Sequence, residues 1–242
     1  MTYDGLPPYL NTALLLDLDG TLIDIAPTPD SVFVPVGLTD TLRTIRVQLD
    51  GALAVVTGRM IDVIDRLLGD APHAVAGEHG GAIRSEPGAP IERPDLIAPP
   101  LSWIDRASVL EAAYPGVLLE RKPRGFGLHF RLVPEAGLEI GATLSALVAG
   151  SAFDLLPGDM MWEVRPRGVD KGDAVTALMR RAPFLGRVPV FIGDDVTDED
   201  GMRVARAMGG VGLRVQDVFG DAAGVRAWLH DTASRGDWGL LR

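Results

Sequence analysis

The sequence predicts an α/β fold: a Rossmann-like parallel-sheet core with an inserted α+β cap domain. Short apolar runs alternate with segments whose apolar residues recur every three or four positions. Strands that alternate with helices are typical of a parallel sheet covered on both faces. A proline-rich stretch at 85–100, SEPGAPIERPDLIAPP, interrupts the alternation and predicts a linker. The elements that follow it have a different order.

Five apolar runs are predicted to be the buried strands of the core. They are ALLLDL (13–18), ALAVVT (52–57), HAVAG (73–77), VPVFIG (188–193) and GGVGLRV (209–215). Helices are predicted between the first three runs, one over 38–49 and one over 61–68 that is ended by Gly69. In such sheets, ligands bind beyond the carboxyl ends of the strands.

The inserted unit is predicted to have the order α-β-β-α-β-β. Its helices cover 103–113 and 138–148, and its strand-like runs are VLLERKP (117–123), FGLHFRL (126–132), FDLLPG (153–158) and MMWEVRP (160–166). We therefore expect a core domain made of residues 1–83 and 167–242, and a cap domain made of residues 84–166. Both sizes suit compact domains.

Charge and composition exclude several classes of partner. The 242 residues carry a formal net charge of −10, and the sequence pI is about 4.8, which argues against nucleic acid or an anionic membrane. The absence of cysteine excludes disulfides and thiolate metal sites. The first residues lack a signal-peptide pattern, and no apolar run approaches the roughly 18 residues of a membrane span. These observations predict a cytoplasmic protein.

The run LLLDLDGTL at 14–22 ends a predicted strand in two carboxylates, Asp17 and Asp19. Alternate residues of an extended chain point the same way, roughly 6–7 Å apart, so we expect both to face one space beyond the strand. Burial and mutual repulsion would raise their pKa values unless a cation lies between them. Hard oxygen ligands of this kind suit Mg²⁺. For this motif alone, an acidic cap at a strand exit is the alternative.

Two further residues indicate an anion site at the same edge. Thr57 ends the second predicted strand and precedes Gly58 and Arg59 at an expected helix start, where a hydroxyl and free N–H groups suit a phosphate oxygen. Lys171, in GVDKGDAV, also lies at an expected helix start, where a cation is unfavourable unless an anion joins it. For each residue alone, an ordinary helix cap and a solvated lysine are the alternatives.

A second acidic group follows the predicted strand VPVFIG. Asp194 and Asp195 end this strand, and Asp198 lies one turn further on. Acidic residues are common at helix N-termini. A second carboxylate group beyond another strand of the sheet would nevertheless complete a divalent-metal site with Asp17 and Asp19. The paired aspartates, the threonine, the lysine and this second acidic group together indicate a metal and phosphate site far more specifically than any one of them does.

These motifs, in this order, resemble those of the haloacid dehalogenase superfamily of phosphohydrolases: D-x-D-G-T, a threonine at a strand end, a lysine, and G-D-D-x-x-D. The resemblance spans the whole core. It implies that Asp17 attacks phosphorus, that Asp19 is general acid and then general base, and that Thr57 and Lys171 bind the phosphate. It also implies Mg²⁺ as cofactor. The implied ligands are Asp17, the backbone carbonyl of Asp19, and Asp194, with Asp195 and Asp198 supporting them.

Within that superfamily, the chain resembles the trehalose-6-phosphate phosphatases. The resemblance is carried by the core loop GEHGG (77–81), an E-x-K motif, an H-x-R strand and a glutamate shortly before the lysine motif. It implies Mg²⁺-dependent hydrolysis of trehalose 6-phosphate, with cap carboxylates and an amine on the sugar hydroxyls. The implied substrate-binding residues are Gly58, Arg59, Glu78, His79, Glu120, Lys122, His129, Arg131 and Glu163.

Other substrates and roles stay open on the sequence. One alternative is a related phosphatase that acts on glucosyl- or mannosyl-3-phosphoglycerate or on sucrose phosphate. Another is a phosphomutase, which returns the phosphoryl group to a sugar. A third is a sugar-phosphate sensor, which binds the sugar phosphate without hydrolysing it. The cap residues also have a plainer interpretation as a solvated strand face or as structural pairs. The expected partners are a small-molecule sugar phosphate and the synthase that makes trehalose 6-phosphate. The oligomeric state is left open, and a monomer is compatible with the sequence.

Overall fold

The computed structural model describes residues 5–28 and 31–240, and the chain divides into two compact units. The first comprises Met1–Ile25, Val32–Pro94 and Val169–Arg242, and the second comprises Ala26–Ser31 and Asp95–Gly168. Part of the linker stays with the first unit because Glu92 and Ile83 exchange backbone hydrogen bonds of 2.8 Å in both directions.

The regular elements are numbered along the chain. The strands among the described residues are β1 (Thr12–Leu16), β2 (Leu53–Val56), β3 (Ala74–Gly77), β4 (Ala82–Arg84), β5 (Leu118–Lys122), β6 (Gly125–His129), β7 (Phe153–Gly158), β8 (Met161–Pro166), β9 (Val188–Gly193) and β10 (Val211–Arg214). The helices are α1 (Leu38–Gln48), α2 (Ile61–Leu68), α3 (Leu101–Ala113), α4 (Gly137–Val148), α5 (Lys171–Met179), α6 (Asp198–Ala207), α7 (Val215–Val218) and α8 (Ala222–Arg235).

The sheet of the first unit confirms the predicted α/β class. Its strand order is β10-β9-β1-β2-β3-β4, with every pair parallel except β3 and β4. All five residues of β1 are buried, because this strand lies inside the sheet and is covered on both faces. The parallel arrangement brings the carboxyl ends of β9, β1 and β2 side by side at one edge.

The predicted strands and helices of the core are present, and three further elements accompany them. Strand β4 has three residues, which is too short for periodicity to reveal. Helices α7 and α8 were also not predicted. Helix α8 buries Val225, Trp228, Leu229 and Thr232 at helical spacing, so its signal was available in the sequence.

The second unit has the predicted α-β-β-α-β-β order and an antiparallel sheet ordered β5-β6-β8-β7. Phe126, Leu128 and Val164 point to the side of the sheet that packs with α3 and α4 in one apolar cluster. Successive strand residues alternate between faces, so the opposite face carries the polar residues. This polar face is defined by Glu120, Lys122, His129, Met161, Glu163 and Arg165.

The helices of the described residues give no candidate for a membrane crossing, since none is both long enough and apolar enough.

Candidate active site

Three adjacent parallel strands deliver polar side chains to one edge of the first sheet. Asp17 follows β1 and donates its backbone N–H to the carbonyl of Ile192, at 2.9 Å. Thr57 follows β2 and donates its N–H to the carbonyl of Ala76, at 2.8 Å. Asp194 follows β9. Because the ladder hydrogen bonds continue one residue past β1 and β2, the sheet itself holds Asp17 and Thr57 in place. The backbone N–H of Asp194 donates instead to Asp198 Oδ2, at 3.2 Å.

A buried lysine joins two of the acidic residues. Lys171, the first residue of α5, places its Nζ 2.6 Å from Asp17 Oδ1 and 2.6 Å from Asp198 Oδ1. All three side chains are at most 5% exposed. Carboxylate oxygens of Asp17, Asp194 and Asp198 lie within 4.8 Å of one another. Three acids therefore share one buried cation of the protein.

The imbalance of charge shifts the pKa values of the acidic residues and of the lysine. Burial, together with the charge of Asp198, raises the pKa of the Asp17 carboxyl well above its usual range, although Lys171 opposes this. Burial and the charges of Asp198 and Asp195 raise the pKa of Asp194 to about 6. Burial alone would lower the pKa of Lys171, but the charges of Asp17 and Asp198 outweigh it and raise that pKa. A further cation is what this cluster lacks.

The hydrogen bonds within the cluster show which acids could hold that cation. Asp198 Oδ1 accepts from Lys171, and its Oδ2 accepts from the backbone N–H groups of Asp194 and Asp195. Asp194 Oδ1 is shielded from solvent and has no hydrogen-bond partner among the described residues. Asp194 and Asp17 therefore fit a divalent metal, and Asp198 positions the loop and the lysine around them.

A glycine allows the two acidic loops to meet. Gly20 has a φ of +77°, and a Cβ atom at this position would lie 2.1 Å from Asp194 Oδ2. The D-x-D-G-T glycine is therefore required both for its left-handed turn and for the close approach of Asp194.

The carboxylate of Asp19, which we expected to share one space with Asp17, pairs with Arg59. Its carboxylate accepts two hydrogen bonds from Arg59, at 2.6 Å from Nε and 2.7 Å from Nη2. The side chain is not a member of the cluster of three acids, and β1 ends at Leu16, before either aspartate. Arg59 and Asp19 thus form a bidentate pair that fixes the direction of this carboxylate. Its role as a metal ligand through the backbone carbonyl stays a prediction.

The helix predicted to start at Gly58 or Arg59, directly after β2, starts further along the chain. Helix α2 begins at Ile61 rather than at Gly58 or Arg59. The hydroxyl of Thr57 accepts a hydrogen bond from the backbone N–H of Arg59, at 3.2 Å. The residues between strand and helix therefore form a short loop, and Thr57 organises that loop rather than capping the helix.

The GEHGG loop packs against this second loop. Glu78, His79 and Gly80 have φ angles of 54°, 56° and 102°, a left-handed succession that is costly for residues with a Cβ atom. Glu78 Oε1 accepts from Arg93 at 2.6 Å. A Cβ atom on Gly58 would lie 2.4 Å from His79 Nε2. The strained turn therefore places His79 directly over Gly58.

The predicted sugar-binding residues of the second unit lie mostly on its polar face. Lys122 Nζ is 2.7 Å from Glu163 Oε1, and both side chains are under 10% exposed. His129 Nε2 is 2.9 Å from Glu120 Oε2. Burial would raise the pKa of Glu120, but the hydrogen bond with His129 and the charge of Lys122 outweigh it and lower that pKa. Arg131 lies beyond the end of β6, where it pairs with Asp159 at 2.5 Å.

Strand β6 leaves this face open at its centre. Gly127 pairs with Glu120 on one side and with Glu163 on the other. A Cβ atom on Gly127 would lie 2.9 Å from Met161 Cε and 3.7 Å from Glu120 Oε2. The absence of a side chain here gives a ligand access to the polar atoms on either side.

One residue of the polar face was missed by the sequence analysis. Arg165 lies two positions after Glu163 on β8 and so projects from the same face. That spacing was the signal that could have identified it.

Comparison with known proteins gives a consistent result. The family model described as Trehalose-phosphatase matches residues 15–226. A probable trehalose-phosphate phosphatase of Sinorhizobium fredii is 39% identical over 217 residues, covering 85% of this chain and 78% of that protein. The trehalose-6-phosphate phosphatase of Escherichia coli is 38% identical over 208 residues, covering 84% and 77%.

A longer relative and two solved structures extend the comparison. A bifunctional trehalose-6-phosphate synthase/phosphatase of Thermoproteus tenax is 33% identical over 202 residues, which cover 79% of this chain and 27% of that protein. The crystal structure of a trehalose-6-phosphate phosphatase related protein has a TM-score of 0.72 at 22% identity, covering 92% of this chain and 97% of that one. The C-terminal domain of the Candida albicans trehalose-6-phosphate phosphatase has a TM-score of 0.74 at 19% identity, covering 93% of each chain. At these identities the structural matches show the fold.

Proposed function

The chain belongs to the trehalose-phosphatase family, and we propose that it hydrolyses trehalose 6-phosphate to trehalose and phosphate through an aspartyl-phosphate intermediate. The observation that carries the proposal is the buried bridge from Lys171 to Asp17 and Asp198, beside an Asp194 oxygen that lacks a partner among the described residues. With a divalent cation held at Asp194 and Asp17, this arrangement would meet the charge of a phosphoryl group with two positive groups, the ion and Lys171.

The metal is proposed to be Mg²⁺, with Asp17, Asp194 and the backbone carbonyl of Asp19 as ligands. Their donor atoms are oxygens, as Mg²⁺ prefers. When bound, the ion supplies the positive charge that offsets the repulsion among the acids and between them and the substrate. Asp195 and Asp198 support these ligands through the loop that follows β9.

The chemical steps are carried by residues of the chain. A carboxylate oxygen of Asp17 forms a bond to phosphorus while the bond from phosphorus to the sugar oxygen breaks, and Asp19 gives that oxygen a proton. Asp19 then accepts a proton from the water that attacks the phosphorus, and Asp17 is released. Lys171 and Thr57 hold the phosphoryl oxygens, and Arg59 keeps the Asp19 carboxylate in its direction.

The second unit is proposed to act as the cap domain that recognises the sugar. Glu120, Lys122 and Glu163 offer acceptors and a donor for hydroxyl groups, and Gly127 leaves room beside them. His129 holds Glu120. Gly58, Glu78 and His79 are proposed to contact the substrate from the first unit. Arg131, which pairs with Asp159, is proposed to act at the margin of the sugar site.

The synthase partnership and the cellular location remain predictions. The Thermoproteus tenax relative carries synthase and phosphatase in one chain, which supports a functional pairing of this protein with the enzyme that supplies its substrate. A cytoplasmic location belongs to the same proposal.

The test is release of phosphate from trehalose 6-phosphate, compared with sucrose phosphate, glucosyl-3-phosphoglycerate and p-nitrophenyl phosphate, with Mg²⁺ and with a chelator. We expect the highest kcat/KM for trehalose 6-phosphate and loss of turnover in the chelator. Equal, negligible release by the wild type and Asp17→Asn would favour a sensor. Migration of phosphate to another sugar position, without its release, would favour a phosphomutase.

A further inference from the structure

A guanidinium group on the polar face of the second unit has no role in the chemistry described above. Nε and Nη1 of Arg165 are shielded from solvent and have no hydrogen-bond partner among residues 5–28 and 31–240. Charged donors that are shielded from water without an acceptor cost free energy. Such a group in a folded protein therefore points to an acceptor that is not part of the chain.

The residues next to Arg165 along and across the sheet do not supply that acceptor. Asp154 faces Arg165 in the register of β7 and β8, but its carboxylate accepts from Arg167, at 2.8 Å. Glu163, two positions earlier on the same face, pairs with Lys122. The two carboxylates that could have paired with Arg165 thus have other cationic partners.

The geometry of β6 gives a ligand access to this part of the face. Gly125 pairs with Lys122, and a Cβ atom at Gly125 would lie 2.4 Å from the carbonyl oxygen of Val164 and 3.5 Å from the Cα of Arg165. Gly125 and Gly127 together leave the middle of the face without side chains between β5 and β8. A ligand lying over these glycines would contact residues of both strands.

The charge of the face indicates what kind of ligand it accepts. Among the residues of fixed charge, the carboxylates Glu120 and Glu163 balance the cations Lys122 and Arg165. A neutral ligand rich in hydroxyl oxygens fits such a surface better than a second anion does, because it accepts hydrogen bonds without upsetting the balance.

We infer that Arg165 is a substrate-binding residue that donates hydrogen bonds to hydroxyl oxygens of the sugar, and that it helps to set specificity for a disaccharide phosphate. The inference rests on the proposed function and adds a residue to it. Arg165 contacts the sugar and not the reacting phosphoryl group, so its effect should depend on the sugar.

The test compares Arg165→Met with the wild type on trehalose 6-phosphate and on p-nitrophenyl phosphate, which lacks the sugar. We expect KM for trehalose 6-phosphate to rise about 10-fold or more, the scale of a hydrogen bond from a charged group. The kcat/KM for p-nitrophenyl phosphate should stay within about twofold, and the inhibition constant of trehalose as product should rise with KM. Arg165→Lys, which keeps a charged donor, should recover part of the loss.

Thermal unfolding separates binding from a structural role. Arg165→Met removes donors without an acceptor, so we expect its Tm in the absence of ligand to equal or exceed that of the wild type. The matched control is Arg66→Met, which changes the same residue type at an exposed ion pair with Asp62, away from the polar face. We expect this control to leave both substrates unaffected.

Several outcomes would overturn the inference. An equal loss on both substrates would place Arg165 in phosphate binding or in the fold, and a lower Tm with an unchanged KM would make it a structural residue. Unchanged kinetics in Arg165→Met, with an active wild type, would refute the inference alone. A wild type that releases phosphate from p-nitrophenyl phosphate but from none of the sugar phosphates would overturn the proposed function, and the inference with it.

Discussion

The two units both place carboxylates close together, but they balance the charge in opposite ways. At the edge of the first sheet, Asp17, Asp194 and Asp198 crowd around one lysine. On the polar face of the second unit, each carboxylate has its own basic partner, Lys122 for Glu163 and His129 for Glu120.

The difference in charge balance corresponds to the ligands that the acidic cluster and the polar face are proposed to bind. An acidic cluster short of positive charge attracts a divalent cation, and the cation makes the approach of a phosphate dianion possible. A balanced polar surface has no excess charge to satisfy, so it can discriminate a neutral sugar by the positions of its donors and acceptors. One site is therefore governed by charge and the other by hydrogen-bond geometry.

Removing the nucleophile should give the largest effect and should not distinguish between substrates. We expect Asp17→Asn to lower kcat roughly a thousandfold or more on trehalose 6-phosphate and p-nitrophenyl phosphate alike, because no covalent intermediate can form. Phosphate release measures the loss, and mass spectrometry of acid-quenched enzyme should find the aspartyl phosphate in the wild type only. Asp62→Asn, at an exposed helical pair, is the control. A sugar-dependent loss in Asp17→Asn would contradict the assignment.

Neutralising one acid of the crowded cluster should weaken catalysis but stabilise the metal-free protein. We expect Asp194→Asn to lower kcat/KM about 100-fold, through weaker use of Mg²⁺, and to raise Tm in a chelator. The raised pKa of Asp194, about 6, means that its stabilising contribution is present at low pH and is lost as the pH rises through 6. The difference in Tm should therefore be small near pH 4 and largest above pH 7.

Differential scanning calorimetry in EDTA across this pH range measures the effect. With Mg²⁺ present, the wild type should recover its stability and the variant should not gain further. A metal-free variant that is less stable than the wild type above pH 7 would mean that the cluster is not short of positive charge.

Breaking the buried pair of Lys122 and Glu163 should destabilise the protein, whereas Asp194→Asn should stabilise its metal-free form. Glu163→Gln removes the charge that faces Lys122, and we expect a destabilisation of about 3–5 kcal/mol. We also expect kcat/KM for the sugar phosphate to fall roughly 10- to 100-fold. The aryl phosphate should be less affected. Chemical denaturation and steady-state kinetics measure the two losses.

A double variant separates these two losses. Lys122→Met with Glu163→Leu replaces the pair by apolar side chains, which is often neutral for stability. It should regain most of the folding stability without regaining activity on trehalose 6-phosphate. Recovery of both would show that the pair only supports the fold.

The pair of Glu120 and His129, whose side chains are only about 20% exposed, should give the smallest effect. We expect Glu120→Gln to cost about 1 kcal/mol of stability at pH 7. Because the pKa of Glu120 is lowered in the folded protein, its contribution is present above the ordinary pKa of 4.5 and is lost as the pH falls through the lowered value. Denaturation at pH 7 and pH 3 should show the difference between wild type and variant shrinking at the lower pH. A difference that grows on acidification would exclude an ionised Glu120.

The strand-end residues of the first unit could be predicted from the sequence, whereas several side-chain partners could not. Parallel strands share one carboxyl edge, so Asp17, Thr57 and Asp194 had to lie near one another once the alternation of strands and helices was recognised. The bidentate partner of Asp19 is Arg59, which lies on the loop after another strand. Local periodicity carries no information about such a pairing. The same holds for the pair of Lys122 and Glu163.

What the sequence by itself determined was the order of the elements, the α/β class and the kinds of residue at the strand ends, because these follow from local periodicity and residue chemistry. Only the tertiary structure decided which acid pairs with which base, where the GEHGG turn places His79, and that Gly20 must lack a side chain beside Asp194. The physical reason is that such contacts join residues far apart in the chain, so packing and charge compensation select them after the strands have assembled.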